Sequence, residues 1–124
     1  MNDLAWMQLP VRADEGFPQS FRLAMGKSAY AVSMYVNVVD PDGPAREGEV
    51  YDLTRPGAFM VMSVTREGPG TARTLLRRKL VVDHVYLAGE LAFTFRRLTV
   101  HRGNLNAPGS FGSLVDGGVA SRWA

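Results

Sequence analysis

Four groups of residues in this chain are of types that can do chemistry. The first, Met25-Gly26-Lys27-Ser28, ends like a phosphate-binding loop. Such a loop needs an earlier glycine where Phe21 stands. It also needs a helix after the lysine to aim N–H groups at phosphate, and a strand-like run follows here, so a Gly-containing hairpin turn is expected instead. The second group is the two histidines, His84 and His101, in Asp83-His84-Val85-Tyr86 and Val100-His101-Arg102. Neither has the repeated His or carboxylate spacing that fills a metal shell, and no nucleophile elbow supports a Ser–His–Asp arrangement. The third is the acid pairs Asp40/Asp42 and Glu47/Glu49, which read as solvated turn residues.

The fourth group is cationic: Arg73, Arg77, Arg78, Lys79, Arg96, Arg97 and Arg102. Charge is distributed unevenly. Residues 1–70 hold six basic and nine acidic side chains, residues 71–124 eight basic and three acidic, and twelve of the fourteen basic residues are arginine. A planar guanidinium suits pairing with carboxylate or phosphate, so two partners are open. A single-strand nucleic-acid binder would add exposed aromatics, for which Tyr86, Phe93 and Phe95 are candidates. Acidic patches on neighbouring subunits account for the same residues, and the acidic first half could supply them. Arginine-rich coding from a GC-rich genome is the plain alternative.

These residues must be positioned by a single ordinary domain of 124 residues, 46% apolar and 21% charged, which is long enough to bury a core. There is no cysteine, hence no disulfide framework and no thiolate ligand or nucleophile, which fits a cytosolic origin. The first ten residues lack a signal peptide's basic and apolar regions, and no apolar run approaches a membrane span, so a soluble protein with no membrane partner is expected.

Short segments separated by Gly/Pro clusters predict a mainly β fold, a small β-sandwich or β-barrel-like single domain. A strand is expected within Ala5–Val11. The clearest local feature is a hairpin of Phe17–Met25 and Ala29–Val39 about Gly26-Lys27-Ser28, with Tyr30, Val32, Met34, Val36 and Val38 on one face. Val50–Leu53 is a short strand candidate. Ala58–Arg66 is apolar on both faces and predicts a central or doubly covered strand. Thr71–Val82 is ambiguous between a helical turn over Leu75–Lys79 and a strand over Lys79–Val82. Leu91–Val100 predicts a strand interrupted near Arg96-Arg97.

The chain divides into a β-rich core domain, 1–101, and a Gly-rich C-terminal arm, 102–124. Five glycines, at 103, 109, 112, 117 and 118, make the arm's backbone costly to fix. Its few anchors (Leu105, Phe111, Leu114, Val115 and Trp123) return too little to dock it unaided. Neighbouring subunits would supply the remainder, and Arg122 and Trp123 are types enriched at interface hot spots. The alternative is a terminal strand completing the domain's own sheet.

Leu9-Pro10-Val11, Phe17-Pro18-Gln19-Ser20-Phe21, Gly26 with Tyr30, and a strand reaching Asn37 together resemble the opening of the small phage tail baseplate-plug domain of cyanophage tails. Leu75-Leu76 and Gly89-Glu90-Leu91 match that family's later Leu-Leu and Gly-x-Leu steps. The chain departs from the pattern at Phe59, where a tryptophan is expected, and in the tail after Arg102. The resemblance implies a structural virion protein at the tube end of a tail, assembled in the host cytoplasm, with no catalysis and no cofactor. Its partners would be other copies of itself and the tail tube and baseplate hub proteins. The expected subunit-interface residues are Arg73, Arg77, Arg78, Arg96, Arg97, Arg102, Phe111, Arg122 and Trp123. The other functions considered are a nucleic-acid-binding β-barrel using the arginine-rich second half and, last, a small enzyme with a non-obvious site.

Overall fold

Alternating apolar residues, punctuated by glycine turns, fold as ten strands in a computed structural model that describes residues 5–68 and 72–122. In chain order these are β1 (Met7–Gln8), β2 (Gln19–Met25), β3 (Ser28–Val38), β4 (Arg46–Glu47), β5 (Val50–Asp52), β6 (Ala58–Glu67), β7 (Arg73–Lys79), β8 (Val85–Ala88), β9 (Leu91–His101) and β10 (Leu114–Ser121). Two single 3₁₀ turns, Ala13–Glu15 and Arg102–Asn104, complete the chain's described elements.

The strands form two antiparallel sheets, one ordered β2-β3-β6-β7 and the other β1-β10-β9-β5-β4, with β8 also paired to β9. Strands β8 and β5 share one edge of β9, β8 along Leu91–Thr94 and β5 along Thr99–His101. The sheets face each other as a sandwich and no barrel closes. Tyr30, Val32, Met34, Met60, Met62 and Val64 from the four-stranded sheet pack against Tyr51, Tyr86, Phe93, Phe95, Leu98, Val100 and Val119 from the other. Each is almost fully withdrawn from water. Burying one such side chain contributes roughly 1.5–3 kcal/mol, so this double layer dominates stability.

The β2–β3 hairpin follows the sequence closely. Met25 pairs with Ser28, leaving Gly26-Lys27 as a two-residue turn with Gly26 at φ 63. Positive φ at the first central residue matches the right-handed twist of the strands, and only glycine takes it without strain. Strand β6 lies inside its sheet, between β3 and β7. In β9 the register shifts opposite Asp116/Gly117, where Arg97 pairs with Asp116 and Phe95 with Gly117, so Arg96 is the extra residue of a bulge.

The ambiguous segment resolves as strand and not as a helical turn. Val64 pairs with Leu76 but Thr65 with Thr74, so Leu75 is bulged. The bulge lets adjacent Leu75 and Leu76 both pack against the core, which a regular period of two would forbid. The strand begins earlier than expected and is complete by Lys79; Leu80 then drops into the core.

The Gly-rich C-terminal segment contributes a strand to the second sheet. Leu114–Ser121 is an inner strand, flanked by β9 and β1, with Val119 and Ala120 buried. The segment before it is tied down by main-chain bonds: Phe17 N–H to Asn104 O (2.9 Å), Asn106 N–H to Phe17 O (2.7 Å) and Gly109 N–H to Asp14 O (2.7 Å). Asn104 is fully buried; its amide donates to Ala107 O and Gly109 O and its Oδ1 accepts from the Ser113 hydroxyl. Weighing apolar anchors against backbone entropy omitted this ladder. It also omitted what Gly117 provides: a Cβ there would lie 2.5 Å from the Phe95 ring, so the glycine opens space for a core aromatic.

Candidate interaction surface

The expected chemistry-bearing residues serve structural roles. Gly26-Lys27 is the hairpin turn described above, followed by strand and not helix. His84 sits edge-on to Tyr86, with ring centroids 4.5 Å apart. His101 accepts the Gly103 N–H at Nδ1 (2.9 Å) and stacks on Phe111. Asp42 pairs with Arg46 and Glu49 with Arg102, at 2.9 and 2.8 Å. Among the described residues no three potential ligands converge on a metal-sized space, and no helix is long and apolar enough to cross a membrane.

The cationic residues do not form one surface. Arg73, Arg77 and Arg78 lie on β7, the outermost strand of the four-stranded sheet. Arg96 and Arg97 sit at the β9 bulge on the outer face of the other sheet. There Arg96 lines a shallow groove with Trp6, Thr94 and Asp116. Arg102 is at the far end of β9, held by Glu49 through its side chain and through its N–H to Glu49 O. Arg122 donates from Nη1 to Gly89 O (2.8 Å). Phe111 is half-exposed, its ring over Gly103 and Gly109, where a Cβ would fall within 2.7 and 2.3 Å of it. Trp123 lies outside the described residues.

Of these groups β7 holds the most cations on one strand, and that strand is a sheet edge. Arg12, Arg22, Arg46, Arg66 and Arg102 each reach a carboxylate. Among the described residues none of Arg73, Arg77, Arg78 and Lys79 does. Arg77 lies 3.5 Å from the Tyr35 hydroxyl. The Arg78 guanidinium rests 5.7 Å from the Tyr86 ring centroid and the Lys79 ammonium 5.0 Å from that of Phe59. The Tyr86 hydroxyl is used in anchoring the strand's end, donating to Lys79 O (3.0 Å) and accepting Val81 N–H (2.7 Å). Sequence reasoning included the β7 cations but had no signal that their neighbours at 96 and 97 would face the other way.

The aromatics proposed for base stacking are withdrawn: Tyr86, Phe93 and Phe95 are all buried. The exposed large apolar side chains among the described residues are instead Trp6, Met7, Val39, Val50, Val81, Val85, Leu87, Phe111 and Leu114, of which the sequence analysis offered Phe111 and Leu114 as docking anchors. Trp6 lies over Gly118, whose missing side chain leaves the indole 3.5 Å from where a Cβ would be.

One ionic group is partly enclosed. Arg66 on β6 donates through Nη2 to both carboxylate oxygens of Glu90, with Oε2 at 2.8 Å, and its guanidinium lies 6.0 Å from the Tyr30 ring centroid. Glu90 is in the Gly89-Glu90 turn between β8 and β9. The adjacent Tyr30 hydroxyl, its own backbone N–H and Arg66 hold its carboxyl down at about 2. Burial raises the Tyr30 phenol; its hydroxyl stands beside Glu90 but makes no well-aligned hydrogen bond among the described residues. This cluster joins the two sheets, and its geometry is that of a structural clamp.

No family model matches the chain, and no curated protein or solved structure does so either.

Proposed function

We propose that this chain is a structural component of a phage tail baseplate or tube end, a plug or tube-to-hub adaptor, acting through subunit–subunit contacts. It would contact other copies of itself and tail tube and hub proteins, reside in the virion tail after assembly in the host cytoplasm, and need no catalysis or cofactor. Its support is the resemblance of its first third to the baseplate-plug domain and a rigid sandwich carrying open strand edges. The observation that carries the reading is β7. This exposed edge strand gathers four cations without a carboxylate partner among the described residues, whereas Arg12, Arg22, Arg46, Arg66 and Arg102 are ion-paired within the chain and Arg55, Arg96, Arg97 and Arg122 lie elsewhere in the fold. Charges of this kind speed and select encounter with an oppositely charged partner.

Fractionation of phage particles from the source culture, followed by mass spectrometry, tests this. The chain is expected to co-sediment with intact tails in several copies per particle. Recovery only as free protein, with tails lacking it, would contradict the reading. The nucleic-acid alternative loses its aromatic platform, since Tyr86, Phe93 and Phe95 are buried.

A further inference from the structure

The main chain of β7 has a definite polarity toward the outside. Leu80 N–H donates to Met60 O at 2.8 Å, which fixes the phase of the ladder through the pairs Val61–Lys79, Met62–Arg78 and Ser63–Arg77. In an antiparallel pair, hydrogen-bonded and non-hydrogen-bonded positions alternate. The N–H and C=O of Arg78 therefore turn toward β6, and those of Arg77 and Lys79 turn away from the sheet. The side chains of the same two residues lie on the outer face, beside Ser63 and Val61.

A strand laid antiparallel along this edge would bond to the N–H and C=O of Arg77 and to the N–H of Lys79, whose C=O already accepts the Tyr86 hydroxyl (3.0 Å). It would also set its own side chains opposite theirs, about 4.5–5.5 Å away between Cβ atoms, at positions two residues apart. Carboxylates at those positions would meet both cations.

The geometry points to β7 as the receiving edge for strand addition by an acidic, extended segment of a different protein, with carboxylates at alternate positions opposite Arg77 and Lys79. Strand addition of this kind draws affinity from the main chain and specificity from alternate side chains. The inference rests on reading β7 as an interface.

A second copy of the chain does not fit the edge. β7 against β7 would place like charges opposite one another. The other long open edge, β2, carries Arg22 and no carboxylate, and Arg22 is already paired with Glu67. A nucleic-acid strand could supply negative charge but cannot continue a main-chain ladder.

Amide NMR on the intact chain tests the inference with three probes: a hexapeptide of alternating glutamate and valine, the same peptide N-methylated at alternate amides, and a thymidine oligonucleotide. The unmodified peptide is expected to shift the Arg77 and Lys79 amides, slow their exchange, and bind about tenfold or more tightly than its methylated twin. The double variant Arg77→Gln with Lys79→Gln, which keeps side-chain length, is expected to lose this response while its amide spectrum stays that of the folded chain. Equal binding of both peptides would replace strand addition with plain charge attraction. Binding of neither would show that the cations only guard the edge, and tighter binding of the oligonucleotide would assign it to nucleic acid. Each of these three results overturns the inference. Co-sedimentation with tails is measured separately, so a failure here is distinguishable from a failure of the assembly reading.

Discussion

Arg66 and Glu90 belong to different sheets and meet at one end of the sandwich, with the Arg66 Nη2 bonded to both carboxylate oxygens. Gly89 makes the approach possible. Its φ of 58 suits the first position of a two-residue turn, and a Cβ there would crowd Arg66 Nη2 at 3.0 Å and Leu75 at 3.2 Å. Main-chain ladders hold each sheet internally. This pair adds a charged tie between the sheets beside the hydrophobic core.

The Tyr30 hydroxyl, the backbone N–H and Arg66 around Glu90 together make stability depend on acid. Glu90 is displaced from 4.5 to about 2, so its contribution is whole above about pH 4.5 and is lost as pH falls through about 2. That displacement is worth at most about 3 kcal/mol, and solvent at the partly exposed Arg66 reduces it to roughly 1–2. Glu90→Gln is expected to lower stability at pH 7 by that amount and to flatten its decline between pH 5 and 2. Denaturant melts of both proteins across that range measure it; parallel curves would show that Glu90 is not the titrating group.

Two adjacent glycines in β10 should respond in opposite ways. Gly117→Ala forces a methyl group onto Phe95 and Leu9, at 2.5 and 3.2 Å, and is expected to cost about 1–3 kcal/mol. Gly118→Ala meets only ordinary contacts from 3.4 Å outward and is expected to be neutral or stabilising by up to about 1 kcal/mol. Melts of the isolated chain decide. If Gly117→Ala leaves stability unchanged, β10 does not belong to this domain's sheet in the free protein.

Much of the fold is legible in local pattern. The β2–β3 hairpin follows from alternation around Gly26, and the irregularity foreseen at Arg96-Arg97 is the β9 bulge. Three things were not legible, each for a stated reason. Adjacent Leu75 and Leu76 broke the period of two because a bulge lies between them and β6. The run Asp116-Gly117-Gly118 had a linker's composition, whereas Gly117 is set by the distant Phe95. The Tyr30–Arg66–Glu90 cluster draws from three separate segments and has no local signature. The interface residues were partly legible: the basic charge of β7 was evident, but topology alone puts Arg96 and Arg97 on the opposite sheet.

Asn104 anchors the loop that was expected to be an arm. Asn104→Ala would leave Ala107 O, Gly109 O and the Ser113 hydroxyl short of a partner, an expected cost of about 1–3 kcal/mol. Ser113→Ala removes both its donation to Asn104 and its acceptance of the His101 N–H (2.7 Å). The two losses share a bond, so the double variant should be less destabilised than the sum by about 0.5 kcal/mol or more. Simple additivity in chemical denaturation would show that the network is not coupled.

The β7 cations should matter for association and not for folding. Arg77→Gln with Lys79→Gln alters exposed side chains that pair with no carboxylate among the described residues, so stability should change by no more than about 0.5 kcal/mol. Incorporation into tails should fall, and its sensitivity to salt should fall with it. Unimpaired incorporation would remove these two residues from the interface.

The central claim, that this chain works by joining an assembly through β7, is tested most directly by hydrogen exchange of the β7 segment in free and tail-assembled protein. In the free chain the outward amides of Arg77 and Lys79 should exchange rapidly, and the inward amide of Arg78 slowly. In assembled tails all three should be protected, with the β3 and β6 amides little changed between samples. Rapid exchange of Arg77 and Lys79 in both samples would contradict the claim, because it would leave the open edge uncovered in the particle.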